Sequence, residues 1–163
     1  MAAISRSFRP ASRLLSRTAP LISSSSRGYA DEMSFTFAAS NQVFYENASV
    51  RQVDVPSFSG TFGILPRHVP TLAVLQPGIV TVFENDGSSK KIFVSSGTIS
   101  INEDSSVQVL AEEAHPVENL DPSAIRDIVT KAQSELSAAA DDRAKAEAAI
   151  AVEVAEALSK AVS

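Results

Sequence analysis

The chain has 163 residues, no cysteine and no tryptophan, and its 14 basic and 19 acidic side chains give a formal charge of −5. This length suits one domain or two small ones. The lack of cysteine excludes disulfides, thiolate metal sites and thiol nucleophiles. No run approaches the roughly 18 apolar residues of a membrane-spanning helix, so we expect any membrane association to go through partners.

Residues 1–29 have the composition of a targeting segment. They are rich in serine, contain no acidic residue, and end in Arg27-Gly28-Tyr29, which resembles a matrix-processing site before Ala30. This composition is typical of an organelle transit peptide, because an inside-negative membrane potential draws cations inward. We predict that 1–29 is a mitochondrial transit peptide; a basic tail that stays attached is the alternative. The arginines of this segment are Arg6, Arg9, Arg13, Arg17 and Arg27.

The rest of the chain, residues 30–163, is strongly acidic. Nine basic and 19 acidic side chains remain there, a formal charge of −10. Phosphate backbones require clusters of lysine and arginine, so this balance argues against nucleic acid as a partner. It is compatible with a basic protein partner.

Composition changes near residue 115. The aromatic residues of 30–163 all lie between Phe35 and Phe93, whereas no glycine, proline or aromatic residue follows Pro122. Before residue 115, apolar and polar residues alternate in several short segments. Tight-turn signals, including Asn-Asp-Gly at 85–87, lie between these segments. Many short strands without crossover helices predict a β-sandwich or barrel over 30–115, followed by a helical domain over 116–163. The predicted strands include 34–37, 50–55, 78–84, 90–94, 98–101 and 106–110.

The helical part is predicted to form two helices. Asp121 can cap the first turn and Pro122 suits the first helical position. The sequence AAADD at 138–142 contains the next break, with an aspartate as the cap of a second helix. A short link between two amphipathic helices predicts an antiparallel hairpin; one long helix with a soft spot at 141–142 is the alternative. The predicted apolar faces are Ile125, Ile128, Val129, Ala132 and Leu136, and Ile150, Val154, Ala157, Leu158 and Ala161.

The sequence contains no recognisable catalytic, cofactor or metal constellation. The glycine at 87 leads into a strand rather than the helix that a phosphate-binding loop requires. His68 and His115 are far apart in sequence, and His115 is interpreted as part of an exposed linker. The adjacent acids at 112–113 and 141–142 are interpreted as solvated charge, since neighbouring side chains diverge on strands and helices.

One segment, residues 58–72, stands out from the other connections. Two glycines and two prolines bracket an apolar stretch, FSGTFGILPRHVPTL. Pro66 and Pro70 disfavour helix. We predict a rigid loop that displays Arg67 and His68 and binds a partner at low ordering cost; an ordinary connection between strands is the alternative.

This segment resembles the signature of the delta/epsilon family of F-type ATP synthases. The family pattern has glycine, two residues, Gly-Ile, a hydrophobic residue, proline, any residue, histidine, any residue and proline, followed by Leu-x-Pro-Gly. The chain reads GTFGILPRHVP at 60–70 and LQPG at 75–78. The resemblance extends over residues 30–163, and the predicted transit peptide indicates the mitochondrial members of the family.

The resemblance implies an α+β fold, a ten-strand β-sandwich followed by a two-helix hairpin. It implies a non-catalytic rotor subunit of the central stalk, one copy per complex, that couples c-ring rotation to the gamma shaft and so proton flow to ATP synthesis. The implied partners are the gamma subunit, the c ring and a small mitochondrial stalk subunit, at the matrix side of the inner membrane. The family motif places Thr61, Arg67 and His68 on the side facing the c ring, although bacterial relatives often have glutamate at the position of Thr61.

The resemblance does not extend to the nucleotide site of some bacterial members. Their hairpins bind ATP through an Asp-x-x-Arg-Ala pattern, whereas residues 142–146 of this chain read DRAKA. Lys145 stands where arginine is expected, and lysine lacks the planar fork that arginine offers to phosphate. We therefore predict no nucleotide site and no cofactor.

Two other functions remain open from the residues alone. One is a binding adaptor of the mitochondrial matrix, outside ATP synthase, with the same β-plus-hairpin design. The other is an enzyme with a site centred on His68, which lacks a nucleophile or second base at a recognisable spacing.

Overall fold

The computed structural model describes residues 33–163, so the transit-peptide prediction for 1–29 lies outside the described residues and stays a prediction. Within this range, nine β-strands precede a 3-10 helix at Val117–Asn119 and two α-helices. The strands are β1 (Met33–Ala39), β2 (Val43–Ser57), β3 (Gly60–Ile64), β4 (Thr71–Leu75), β5 (Gly78–Glu84), β6 (Ser89–Val94), β7 (Gly97–Ile101), β8 (Ser106–Ala111) and β9 (Ala114–Pro116), and the helices are α1 (Pro122–Ala138) and α2 (Asp142–Ala161).

The strands form a sandwich whose two sheets share β2. The first half of β2 pairs antiparallel with β1, and the second half pairs with β3 and β5. Val50 belongs to both sheets, since it pairs with Met33 and with Glu84. One sheet has the order β2-β1-β8-β7-β4, and the other has the order β3-β2-β5-β6-β9. The expected sandwich is confirmed, with nine strands in the described range instead of ten because β2 passes unbroken through both sheets.

Alternation of side chains produces the core. In β1 the side chains of Met33, Phe35 and Phe37 are fully buried while the residues between them are only half-buried. Val107 and Val109 of β8 follow the same period. Each such side chain contributes roughly 1.5–3 kcal/mol when it leaves water. The strands predicted from period-two alternation are therefore present.

The two predicted strand hairpins are also present. β5 and β6 pair antiparallel across the turn at Gly87, whose φ of 90° suits glycine. β7 and β8 pair antiparallel across the turn at Ser105, which has a φ of 67°. Both turns are held by an aspartate two residues before a backbone N–H: Ser88 N–H donates to Asp86 Oδ1 at 2.8 Å, and Ser106 N–H to Asp104 Oδ1 at 2.9 Å.

The helical hairpin begins and breaks at the two predicted caps. Asp121 accepts a hydrogen bond of 2.8 Å from the backbone N–H of Ser123, with Pro122 as the first helical residue. Asp141 accepts a 2.6 Å bond from the N–H of Ala144 at the start of α2. Such caps satisfy amide groups that the helix itself leaves unpaired. The single long helix is excluded, and the antiparallel hairpin is confirmed.

The apolar faces of the hairpin were predicted only in part. Ile125 and Ala132 are buried as expected. The prediction was wrong for Ile128, Leu136 and Ile150, which are 47%, 36% and 62% exposed. The remaining predicted positions are half-buried: Val129, Val154, Ala157, Leu158 and Ala161.

The fully or nearly buried positions of α2 are small. Ala148 and Ala155, seven residues apart on α2, are buried, as is Ala132 of α1. The hairpin therefore buries these small side chains and leaves Ile128, Leu136 and Ile150 exposed.

The placement of His115 differs from its interpretation as linker. His115 lies in β9 and pairs with Phe93 of β6, although its side chain is exposed. A strand of three residues is too short to show a periodic pattern in the sequence. It forms because the edge of β6 supplies its hydrogen bonds.

Candidate partner-binding site

The motif segment begins with a stiff two-residue turn. Residues 58–59 join β2 to β3, and Gly60 has a φ of 111°, which favours glycine. The hydroxyl of Ser57, only 5% exposed, donates a 2.7 Å hydrogen bond to the Gly60 carbonyl oxygen. The turn therefore presents Phe58, 85% exposed, from a fixed backbone.

Several motif positions serve packing rather than binding. A Cβ at Gly63 would lie 2.8 Å from the Asp54 carboxylate, and one at Gly78 would lie 2.9 Å from Cβ of Pro56. Ile64 is fully buried. These motif residues are therefore explained by the close approach of neighbouring strands.

The loop at residues 65–70 contains a second tight turn. The backbone N–H of His68 donates to the carbonyl of Leu65 at 3.2 Å, and Arg67 has a φ of 62°. Proline followed by a left-handed residue fits a type II turn, in which glycine or asparagine is preferred at the place of Arg67. The Arg67 N–H donates to Ser105 Oγ at 3.2 Å, which ties the loop to the β7–β8 turn. These contacts support the predicted rigidity of the loop.

His68 is partly packed against the sandwich. Its Nδ1 lies 2.9 Å from the carbonyl oxygen of Val69, so Nδ1–H is the donor of this pair. Its ring centroid lies 6.1 Å from that of Phe62, which packs against the core. These contacts hold the ring in place against the sandwich.

The three predicted site residues are not brought together. Thr61, exposed, pairs with Pro56 beside the 58–59 turn. Arg67 and His68 follow Ile64, at the opposite end of β3. Ile64 is the third residue after Thr61 along β3, at a distance of about 10 Å.

An exposed apolar strip next to the motif was missed by the sequence reasoning. Leu65, Val69, Leu72 and Val74 are 55%, 69%, 79% and 64% exposed. Leu72 and Val74 lie on the same side of β4, and exposed apolar side chains that share a surface mark interaction sites. The available signal was the sequence TLAVL of β4, in which the outward positions are as apolar as the inward ones.

A charged cluster joins the first half of β2 to the β5–β6 hairpin. The Tyr45 hydroxyl donates to Glu84 Oε1 at 2.9 Å, and Lys90 Nζ lies 2.8 Å from the same oxygen. Burial, together with the bond to Glu84, raises the pKa of Tyr45 to about 12. The bond to Lys90 lowers the pKa of Glu84. The cluster links strands of both sheets, so we assign it a structural role.

Other predicted features have the following positions. The acids at 112–113 and 141–142 are exposed, and Lys145 is exposed on α2. Within residues 33–163, no group of three metal-ligating side chains is found. No helix in the same range is long and apolar enough to span a membrane.

A cleft of about 280 Å³ separates the hairpin from the sandwich. Phe93 and His115 line its sandwich side, and Ile125, Val154 and Leu158 line its helical side. The hairpin therefore lies against the sandwich without closing over it.

The comparisons with known proteins decide among the functions left open. Residues 32–117 match the family described as ATP synthase, Delta/Epsilon chain, beta-sandwich domain, and residues 120–161 match the metazoan delta subunit of F1F0-ATP synthase, C-terminal domain. The chain belongs to the delta/epsilon family of ATP synthase subunits. Delta/epsilon chains are non-catalytic stalk subunits, and the catalytic sites lie in other subunits. The matrix adaptor and the His68 enzyme are not supported.

Relatives in the delta/epsilon family cover most of the chain. The ATP synthase subunit delta, mitochondrial, of Caenorhabditis elegans is 49% identical over 82% of this chain and 81% of its own length. The protein of the same name from Yarrowia lipolytica is 39% identical over 85% of this chain and 88% of its own length. The resemblance inferred from residues 60–70 and 75–78 is thereby confirmed.

Solved structures share the delta/epsilon fold. A chain in the mitochondrial ATP synthase of Euglena gracilis, in an assembly of OSCP, F1 and c-ring, is 22% identical and has a TM-score of 0.75 over 99% of this chain and 100% of its own. A chain in the central stalk and c-ring of Tetrahymena thermophila mitochondrial ATP synthase is 15% identical, with a TM-score of 0.60 over 80% and 96%. At these identities the likeness concerns the fold.

Proposed function

We propose that the chain is a rotor subunit of the central stalk of mitochondrial ATP synthase, where it couples c-ring rotation to the gamma shaft and so proton flow to ATP synthesis. The observation that carries this proposal is the match of the sandwich, residues 32–117, to the delta/epsilon family. The relatives named subunit delta, mitochondrial, support the compartment.

This function requires a subunit that is stiff and that offers surfaces to which its partners can bind. Torque passes through a subunit only if its elements do not yield, and the shared strand β2 and the tied turns supply that stiffness. The exposed strip of Leu65, Val69, Leu72 and Val74 offers apolar area for a permanent partner. The proposed partners are the gamma subunit, the c ring and a small mitochondrial stalk subunit, one copy of the chain serving each complex.

We place Thr61, Arg67 and His68 among the partner contacts. Because Thr61 lies beside the 58–59 turn, whereas Arg67 and His68 follow the opposite end of β3, they contact the rotor from two separate positions rather than as one cluster. The proposed location follows: the matrix side of the inner membrane, with membrane attachment through the complex and a transit peptide at 1–29.

Substitutions that spare the backbone test the docking role. Arg67→Gly suits the left-handed φ of 62°, so it removes the side chain without straining the turn. We combine it with His68→Ala in the full chain and measure stalk assembly and proton-driven ATP synthesis in mitochondrial membranes. Lys91→Ala is the matched control, because it removes an exposed basic side chain from β6.

Reduced synthesis or assembly in the double variant, with normal behaviour of the control, is the expected result. Full assembly and normal synthesis in both would remove the loop from the partner contacts. Failure of the unchanged chain to enter the ATP synthase complex would refute the proposed function itself.

A further inference from the structure

The peptide bond between Pro66 and Arg67 could take either of two orientations. Turns of type I and type II have the same φ at the first central residue, where proline is favoured, and differ by a flip of the peptide that follows it. A second central residue other than glycine or asparagine favours type I. Arg67 nevertheless has a φ of 62°, as in type II. A contact from elsewhere is therefore needed to hold this orientation.

The Ser105 hydroxyl contacts the N–H group that such a flip would move. The Arg67 N–H donates to Ser105 Oγ at 3.2 Å. In a type I turn the same N–H would point away from Ser105, and this bond would be lost. A left-handed φ costs a non-glycine residue about as much as one hydrogen bond contributes. Loss of the bond is therefore enough to change the preferred turn.

Ser105 is itself held by the hydrogen bonds of the β7–β8 turn. Its N–H donates to Asn102 O at 3.2 Å, and the Asn102 N–H donates to Ser106 O at 2.9 Å. The Ser106 N–H donates to Asp104 Oδ1 at 2.9 Å. The Asn102 side chain adds a bond of 2.8 Å to Ser106 Oγ. The Ser105 hydroxyl is thus presented to the loop from a fixed backbone.

The β5–β6 turn has the same backbone hydrogen bonds, with glycine in the place of Ser105. The Gly87 N–H donates to Glu84 O at 3.1 Å, and the Glu84 N–H donates to Ser88 O at 2.9 Å. The Ser88 N–H donates to Asp86 Oδ1 at 2.8 Å. Both turns require a positive φ, 90° at Gly87 and 67° at Ser105, which glycine adopts most easily. The turn itself gains nothing from serine, so the role of the hydroxyl lies in its bond to the motif loop.

We infer that Ser105 is a positioning residue of the partner-binding loop at residues 65–70. Its hydroxyl holds the Pro66–Arg67 peptide in the type II orientation, and this orientation sets the direction in which Arg67 and His68 face. Strained backbone at a binding site persists only where the surrounding structure holds it. The inference rests on the proposed function and adds to it a residue that lies outside the motif.

Nuclear magnetic resonance of the full chain reports the state of the turn. The nuclear Overhauser effect between Pro66 Hα and the Arg67 N–H is strong in a type II turn and weak in type I, because the flip moves the N–H away from Hα. We expect a strong signal in the unchanged chain and a severalfold weaker one in Ser105→Ala. Ser105→Ala combined with Arg67→Gly should restore it, since glycine favours type II without the bond.

Two further variants separate positioning from stability. Ser106→Ala removes the neighbouring hydroxyl, whose bonds stay within the turn, and should leave the signal strong. Ser105→Gly removes the positioning hydroxyl but relieves the left-handed φ of 67°. The urea midpoint of Ser105→Gly should therefore not fall, whereas its Pro66–Arg67 signal should weaken as in Ser105→Ala.

The same variants test the role of the loop in the complex. In mitochondrial membranes, Ser105→Gly should lower stalk assembly or proton-driven ATP synthesis towards the level of the variant that lacks the Arg67 and His68 side chains. Ser106→Ala should behave as the unchanged chain.

Three results would overturn the inference. They are a strong Pro66–Arg67 signal in both Ser105 variants, an equal loss of signal in Ser106→Ala, and normal assembly and synthesis by a Ser105→Gly chain whose turn has changed. In each case an unchanged chain that enters the stalk leaves the proposed function standing. Absence of the unchanged chain from the ATP synthase is the separate result that refutes the function.

Discussion

Replacing Gly97 with alanine tests how tightly β4, β7 and β8 pack together where β7 begins. Gly97 begins β7 and pairs with Ala111 of β8 and Leu75 of β4. A Cβ at this position would lie 2.3 Å from the carbonyl oxygen of Leu110 and 2.9 Å from Cα of Ala111. Because both obstacles are backbone atoms, one strand has to move by roughly 1 Å to reach ordinary contact distance.

The expected cost follows from the rigidity of the obstacle. Overpacking typically destabilises by about 1–3 kcal/mol, and a backbone obstacle places Gly97→Ala at the upper end of that range. Gly87→Ala is the control, since its φ of 90° imposes strain but its Cβ meets nothing within 4 Å. Gly97 has a φ of 159°, so both variants place alanine at a positive φ, at a cost of about 1 kcal/mol or more. The additional loss in Gly97→Ala is therefore assigned to the clash.

Urea unfolding followed by circular dichroism provides the measurement. The midpoint should fall further for Gly97→Ala than for Gly87→Ala, with the slope unchanged, because a changed midpoint at constant slope reports stability. If the two variants agree within about 0.5 kcal/mol, the size of an ordinary surface substitution, the strands yield without cost and the reasoning from close approach fails.

Three further predictions concern the hairpin and the charged cluster. Asp141→Ala removes the cap bond to the Ala144 N–H and should cost about 1 kcal/mol in urea unfolding; no loss would show that the cap does not hold α2. Ala155→Leu, at a fully buried position, should cost about 1–3 kcal/mol, and an unchanged midpoint would contradict the close helix contact. In the Tyr29→Phe protein, Tyr45 should titrate near pH 12 in an absorbance titration, above the ordinary tyrosine pKa of 10.0. Its contribution to stability is complete below pH 10.0 and is lost as the pH rises through about 12. Glu84→Gln should lower this pKa, and a transition near pH 10 in the Tyr29→Phe protein, where Tyr45 is the one remaining tyrosine, would refute the assignment.

Local chemistry made much of the fold predictable from the sequence. Asp121 with Pro122 and the aspartate before α2 act within one helical turn, so their caps could be read without knowing any distant contact. The turn at 85–87 likewise depends on neighbouring residues, Asp86 and Gly87. Strand alternation in β1 follows from burying one face, whichever strand lies beside it.

Features that depend on a distant neighbour could not be predicted. The spacing placed Ile150 on the apolar face of the second helix, but Ala148 and Ala155 are the buried residues of α2 and Ile150 is exposed. His115 joins a strand only because β6 has a free edge. Both outcomes depend on a surface contributed from elsewhere in the chain.

The candidate site was predicted as a motif but not as a surface. Residues 60–70 identified the family. Within this motif, however, Gly63 and Ile64 serve packing rather than partner binding. Phe58 lies just outside the motif, and its exposure follows from the orientation of the 58–59 turn. Nothing in its sequence context distinguishes an exposed phenylalanine from a core one.

The unbroken passage of β2 through both sheets has a mechanical consequence. Two plates joined only by side chains can slide when force is applied to one of them. Here the backbone of β2 passes from one sheet into the other at Val50. Sliding of one sheet over the other would therefore put this backbone under tension. A load applied at either face of the sandwich is therefore carried by covalent bonds, which yield far less than packing contacts do.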